Sequence, residues 1–319
     1  MRALVPVNDG EVLKHYIEAG AEEFYIGFTD EAWFEKFGEY SDINRLSGYR
    51  KNANQNSFEQ MLKIIEQTKK QNRQIYVTFN ASTYTQEQIE YIGEYLNPLK
   101  DAGADGIIIS GIELLEIAKE YQIPAVVSTI AGIYNEDIAR FYYENGAKRI
   151  IVPRDLSVDE IEEITKAVPD AEYEVFMMRN GCIFSDGNCL GFHRQEKKGI
   201  CAELCHAKRE IRHEYGTFKE LHDIELNDTL YHHFFHDDAC GLCSIYRFVK
   251  MGITAGKIVG RTDDWQEICQ DIRSIIENVE IARECSSNEE YLEKMVLPNG
   301  ERFICKLGLN CYYPEIRFS

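Results

Sequence analysis

No apolar run in the sequence approaches the roughly 20 residues that a membrane-spanning helix needs, which argues against a transmembrane protein. The opening "MRALVPVNDGE" holds one Arg and a five-residue apolar run, too little for a signal peptide or an anchor. Low-complexity tracts and long charge blocks are also missing, so a disordered chain is not expected. Basic charge is scarce: 35 Lys and Arg stand against 54 Asp and Glu, a net charge of −19. A protein that grips long nucleic acid draws most of its affinity from phosphate neutralisation, so nucleic acid is the less favoured partner. No Gly-rich dinucleotide fingerprint follows the first strand-like run, no H-E-x-x-H occurs, and no nucleophile–base–orienter set stands at recognisable spacing. These absences lead to a cytoplasmic globular protein, where thiols stay reduced and structural disulfides are not expected.

Cysteine is what the chain does have. Four of its ten fall in "GCIFSDGNCLGFHRQEKKGICAELCH", Gly181 to His206. Thiols clustered in a reducing compartment suit an iron–sulfur cluster or zinc, because soft ligands select those ions.

The rest of the chain alternates. Strand-like runs occur at Ala3–Val7, Phe24–Phe28, Ile75–Phe79, Gly106–Ser110, Ala125–Thr129, Arg149–Val152, Tyr173–Met178 and Ala255–Val259. Helical periodicity lies between most of them. "SFEQMLKIIEQTKKQN" spaces Phe58, Met61, Leu62, Ile64 and Ile65 on one face behind an N-capping Ser, and Ser157 with Glu160 forms a capping-box spacing. Gly20, Gly103 and Gly146 each suit the left-handed residue that closes a helix before a strand. Eight mostly apolar strands alternating with helices predict a (β/α)8, TIM-barrel-like parallel barrel, with an open doubly wound sheet as the alternative. The expected organisation is a barrel over 1–285, interrupted after the seventh strand by a Cys-rich insertion at 179–252, with a C-terminal extension at 286–319. Long loops after the second and seventh strands, from Thr29 to Asn56 and from Arg179 to about Gly252, would then lie on the barrel face where chemistry occurs.

"EVFMMRNGCIFSDGNC" resembles the signature of the collagenase-like peptidase family U32, in which E-x-F leads into C-x(4)-G-x-C. Glu174, Phe176, Cys182, Gly187 and Cys189 match it, while Arg179, Asn180 and Gly181 replace small and apolar residues. "YRKNANQNSF", "PRDLSVDEI", "GICAELCH" and "KIVGR" resemble further family segments in order, the last with Val259 where Glu is usual. The likeness runs from about Arg2 to Ile281, and "NCYYPE" near Cys311 resembles a C-N-G-Y segment of some members.

This resemblance implies a 4Fe–4S cluster, with zinc as the alternative, and oxygen-independent hydroxylation or a related redox modification. The substrate would be a small molecule, a peptide or a nucleobase, with an electron donor as partner. The family name keeps a peptidase open, and a non-catalytic iron–sulfur scaffold paired with a homologous subunit is a third reading. The implied ligands are Cys182, Cys189, Cys201 and Cys240, with Cys205 as the alternate third; if Cys201 and Cys205 both bind, Cys240 is released. Cys243, Cys269, Cys285 and Cys305 read as ordinary packed thiols, and Cys311 as a weak candidate.

Other polar residues have functional and plain readings side by side. Arg50, Asn52 and Asn56, with Arg154, Asp155, Lys257 and Arg261, would ring the barrel mouth and hold an anionic or amide-bearing substrate; capping and surface salt bridges are the alternative. Six cations from Arg194 to Arg212 form a basic island that offsets a thiolate cluster, or simply a solvated face. "YHHFFHDD" offers His232, His233, His236, Asp237 and Asp238, which read as surface residues because no further ligand has matching spacing.

Overall fold

The computed structural model describes residues 1–38, 41–45, 53–54, 56–182, 184–189, 235, 238–298, 305 and 308–317. Its strands are β1 (Arg2–Pro6), β2 (Glu23–Ile26), β3 (Gln74–Phe79), β4 (Gly106–Ile109), β5 (Ala125–Val127), β6 (Ala147–Ile151), β7 (Glu172–Met178) and β8 (Ala255–Ile258). All pair in parallel in sequence order, and β8 returns to β1 with Leu4 opposite Lys257. That last pairing closes the barrel and excludes the open sheet.

The helices that cover it are α1 (Gly10–Glu18), α2 (Glu31–Phe37), α3 (Phe58–Lys70), α4 (Gln86–Ala102), α5 (Ile112–Glu120), α6 (Glu136–Glu144), α7 (Val158–Ala167), α8 (Ile245–Met251), α9 (Trp265–Glu284) and α10 (Asn288–Lys294). Their starts follow the sequence signals. Ser57 with Gln60 and Ser157 with Glu160 form reciprocal capping boxes at α3 and α7. Gly20, Gly103 and Gly146 take φ of +105°, +91° and +98° at the turns into β2, β4 and β6, a conformation that costs a Cβ-bearing residue. The stretch after β2 is not a bare loop, because α2 lies within it, with Asp30 as its cap.

The strands split their two faces in an unusual way. Outward residues such as Tyr173, Val175 and Met177 are buried and apolar, and the Tyr173 hydroxyl donates to the carbonyls of Ile164 and Val168 on α7. Inward positions carry charge. Arg149 on β6 reaches across the barrel to Glu23 on β2 at 2.6 Å and to Glu172 on β7 at 2.7 Å, while Arg2 meets Glu23 at 2.6 Å. Midway up, Lys257 on β8 donates to Glu174 at 2.8 Å and sits 4.0 Å over the Tyr25 ring. Burial depresses the Lys257 ammonium below the usual lysine range, and Glu174 works against that shift. Polar alternation along β2, β6, β7 and β8 therefore fills the interior, in place of the branched aliphatic layers usual in such barrels.

The ion network at the N-terminal end makes a stability prediction. Arg149→Met leaves Glu23, fully buried, with Arg2 as its remaining cation. The expected cost is about 3 kcal/mol, the low end for breaking a buried pair, read as a fall in the urea midpoint. An unchanged midpoint would show that the network contributes nothing net.

Candidate functional site at the barrel mouth

The loop leaving β7 carries Cys182 and Cys189, and Asp186 pins it. Asp186 is 1% exposed. Its carboxylate accepts from Arg154 Nε at 2.9 Å, the Arg154 amide at 3.2 Å and Thr129 Oγ1 at 2.8 Å, with Arg45 Nη1 3.5 Å away. Burial alone would raise this acid, but Arg154 and Arg45, with the Arg154 and Thr129 hydrogen bonds, hold it down at about 2. Arg154 is itself held, donating to the Asn180 carbonyl at 3.1 Å and lying 4.1 Å over the Phe176 ring. The E-x-F pair thus acquires two physical roles: Glu174 neutralises Lys257 inside the barrel, and Phe176 floors Arg154 at the mouth. Tyr134 supports the same loop, its hydroxyl 2.6 Å from Ser185 Oγ and accepting from the Gly187 amide at 3.0 Å.

The start of the loop is strained. Arg179 and Asn180 adopt φ of +64° and +46°, in the left-handed region that non-glycine residues seldom occupy. Surrounding contacts over-determine that geometry. The Arg179 side chain pairs with Asp271 and, at 2.7 Å, with Glu267, while its carbonyl accepts from the Tyr312 hydroxyl at 2.6 Å. Burial lifts Asp271 to about 6 even against Arg179.

Arg261, at the exit of β8, is the mouth's other cation. Its guanidinium donates to Asn54 Oδ1 at 2.6 Å and Thr78 Oγ1 at 3.2 Å and lies 5.3 Å over the Tyr25 ring. Among the described residues no carboxylate stands within ion-pair distance of it, and its Nε is buried without a hydrogen-bond partner. Burial depresses its affinity for the proton, opposed by Tyr25. Gly27 makes the space: a Cβ there would come within 2.6 Å of Arg261 Nη1 and 2.1 Å of Asn54 Oδ1.

Of the residues expected at the mouth, Arg154 and Arg261 are there, whereas Lys257 lies deeper, tied to Glu174. Asp155 accepts from the Tyr134 hydroxyl at 3.0 Å. Asn56 donates to the Asn8 carbonyl, holding the loop before α3 against the exit of β1. Arg50, Asn52, Cys201, Cys205, the cations from Arg194 to Arg212, and His232, His233, His236 and Asp237 lie outside the described residues. Cys182 and Cys189 are half-buried and form no disulfide. Cys182 faces Arg154 and Tyr312, whereas the thiol of Cys240 has Cys243, Cys305 and Cys311 as its charged neighbours. Sequence reading passed over Asp186, Arg45, Thr129 and Asn54. Only Asp186 left a trace, as an acid in the turn between two cysteines.

The sequence profile of peptidase family U32 matches residues 8–296, so the chain belongs to that family. It is 29% identical over 208 residues to the tRNA hydroxylation protein P1 of Bacillus subtilis, covering 63% of this chain and 45% of that protein. It is 24% identical over 273 residues to the 23S rRNA 5-hydroxycytidine C2501 synthase of Escherichia coli, covering 83% of this chain and 37% of that one. It is also 24% identical over 216 residues to the collagenase of Porphyromonas gingivalis, covering 63% of this chain and 48% of the other. The chain thus spans between a third and a half of the length of these relatives. No helix among the described residues is long and apolar enough to cross a membrane.

The Asp186 geometry predicts an acid-sensitive loop. Its folded pKa lies below the unfolded value, so its stabilisation is present above about pH 4 and is lost as pH falls toward 2. Asp186→Asn should abolish that dependence and lower stability at pH 7 by roughly 3 kcal/mol, since Arg154 and Arg45 lose their shared anion. Chemical denaturation at pH 3 and pH 7 of both proteins checks this; equal slopes in the two would refute it.

Proposed function

We propose that the chain is an iron–sulfur enzyme of oxygen-independent hydroxylation, acting on a planar substrate with an amide or anionic edge, of which a nucleobase is the favoured example. The carrying observation is Arg261: a buried guanidinium without a carboxylate partner, at the mouth of the barrel that also carries the Cys182–Cys189 loop. A desolvated cation of that kind is stabilised by an incoming acceptor and is geometrically suited to a bidentate edge. The relatives named for tRNA and rRNA hydroxylation support a nucleobase over a peptide bond.

The donor set fits a cluster. Cys182 and Cys189 sit on a pinned loop beside Arg154, whose positive charge offsets thiolates. Cys201 and Cys205 would complete the set, releasing Cys240, whose neighbours are other cysteines. When bound, such a cluster supplies electron transfer or an open iron for an oxygen donor. Replacing C–H by C–OH oxidises the carbon by two electrons, so a donor that yields an oxygen atom and is itself reduced is a required co-reactant. The chain's own part is positional: Arg261 and Asn54 orient the substrate edge, Asp186 holds the Cys loop at the mouth, and the polar barrel interior closes the floor.

Anaerobically purified protein should contain iron and acid-labile sulfide in equal amounts, and Cys182→Ser or Cys189→Ser should lose most of the iron. Full retention in both would remove the basis of the proposal. Arg261→Gln should keep the iron while weakening substrate turnover by about 100-fold, the scale of one desolvated charged hydrogen bond. Bulk RNA should bind weakly at physiological salt, given the −19 charge; tight, salt-sensitive binding would show that a local basic surface overrides it.

A further inference from the structure

Below the tail of the chain, four thiols from two distant segments line one small cavity. Cys240 and Cys243 come from the entrance to α8, Cys305 and Cys311 from the segment after α10, and Ser244, Asn310 and Arg317 share the lining. We propose that Cys240, Cys243, Cys305 and Cys311 bind a single zinc ion, at a site separate from the Cys182–Cys189 loop.

Several independent features converge there. Cys240–Gly241–Leu242–Cys243 has the two-residue spacing of a zinc-binding turn, and the Leu242 amide donates to the Cys240 sulfur. Such amide-to-sulfur bonds favour the thiolate that a metal requires. The two segments are held in register: the Cys240 amide donates to the Asn310 carbonyl at 2.7 Å, and the Tyr312 amide to the Cys240 carbonyl at 2.9 Å. Ser244, fully buried, has a hydroxyl oxygen with no hydrogen-bond partner, and so does the side-chain carbonyl of Asn310. A buried hydroxyl of this kind is satisfied by a thiolate acceptor.

Size and charge select the ion. The cavity measures about 10 Å3, room for one ion-sized body and not for an iron–sulfur cubane. Burial and the neighbouring thiols push Cys240 well above the usual thiol range, and burial with Cys305 lifts Cys311 to about 11. Four adjacent thiols are thus costly to ionise without a cation, and a divalent ion reverses that cost. Arg317 offsets the net charge of a zinc held by four thiolates. Among the described residues no group of three or more His, Cys, Asp or Glu is already drawn into ligand geometry, so binding would turn the four side chains inward. The remaining described cysteines, Cys269 and Cys285 on α9 and at its end, are buried in the apolar core.

The test measures zinc and iron together in the full chain purified without oxygen. Wild type should hold about one zinc per chain. Cys243→Ser, Cys305→Ser and Cys240→Ser should each lose it at unchanged iron, and Cys182→Ser should retain it. Absence of zinc from wild type, retention in all three variants, or loss of iron in Cys240→Ser would overturn the assignment. Because a ligand variant can fail to fold, cobalt(II) is also added to the full chain carrying Cys182→Ser and Cys189→Ser. Thiolate-to-cobalt charge transfer at one equivalent supports the site whether or not the iron–sulfur reading stands, and its absence overturns it.

Discussion

One buried carboxylate organises the mouth of this barrel. Asp186 sits between Arg154 from the exit of β6, Arg45 from the stretch after β2, and Thr129 from the exit of β5, and it belongs to the loop that leaves β7. Four separate connections are therefore fixed by contacts to two oxygens. The sequence around it, "CIFSDGNC", offers few apolar side chains to bury. Hydrophobic packing alone would not hold such a loop, and a paired charge does so with direction as well as strength.

Below that anchor the barrel carries a ladder of alternating charge: Arg149 with Glu23 and Glu172, then Lys257 with Glu174, then Arg154 with Asp186. Each rung is close to neutral, apart from Arg45 and Arg261 near the top. The mouth thus ends positive in a protein whose net charge is −19, a local sign opposite to the global one. Charge counts over a whole chain describe its solubility and its long-range field. They say little about a cleft whose walls exclude water.

Much of this architecture was readable from the residues. Strand positions, the capping serines at α3 and α7 and the glycines closing helices are local signals, and local signals survive into the fold. Closure was not local, because it depends on β8 finding β1. The polar interior was hidden as well: β7 reads as apolar from Tyr173 to Met178, yet its inward residues include Glu174. Cys240, Cys243, Cys305 and Cys311 gave no joint signal, since their two segments lie far apart in sequence and only the parallel bridge between Cys240 and Cys311 unites them. The cysteine spacing showed that a thiol site exists, but not how the thiols sort into groups.

The clamp on the exit of β7 is made late. Tyr312 and Tyr313 bond to the carbonyls of Arg179 and Phe176, yet both tyrosines are translated after all eight strands. During synthesis the barrel has its full set of strands before the segment that fixes the strained Arg179–Asn180 pair has emerged. The nascent barrel therefore passes through a stage in which its sheet is complete and its mouth is unset. Maturation of the site follows closure of the fold, and any ion or cluster that needs the finished geometry is taken up only after the ribosome has passed Tyr313.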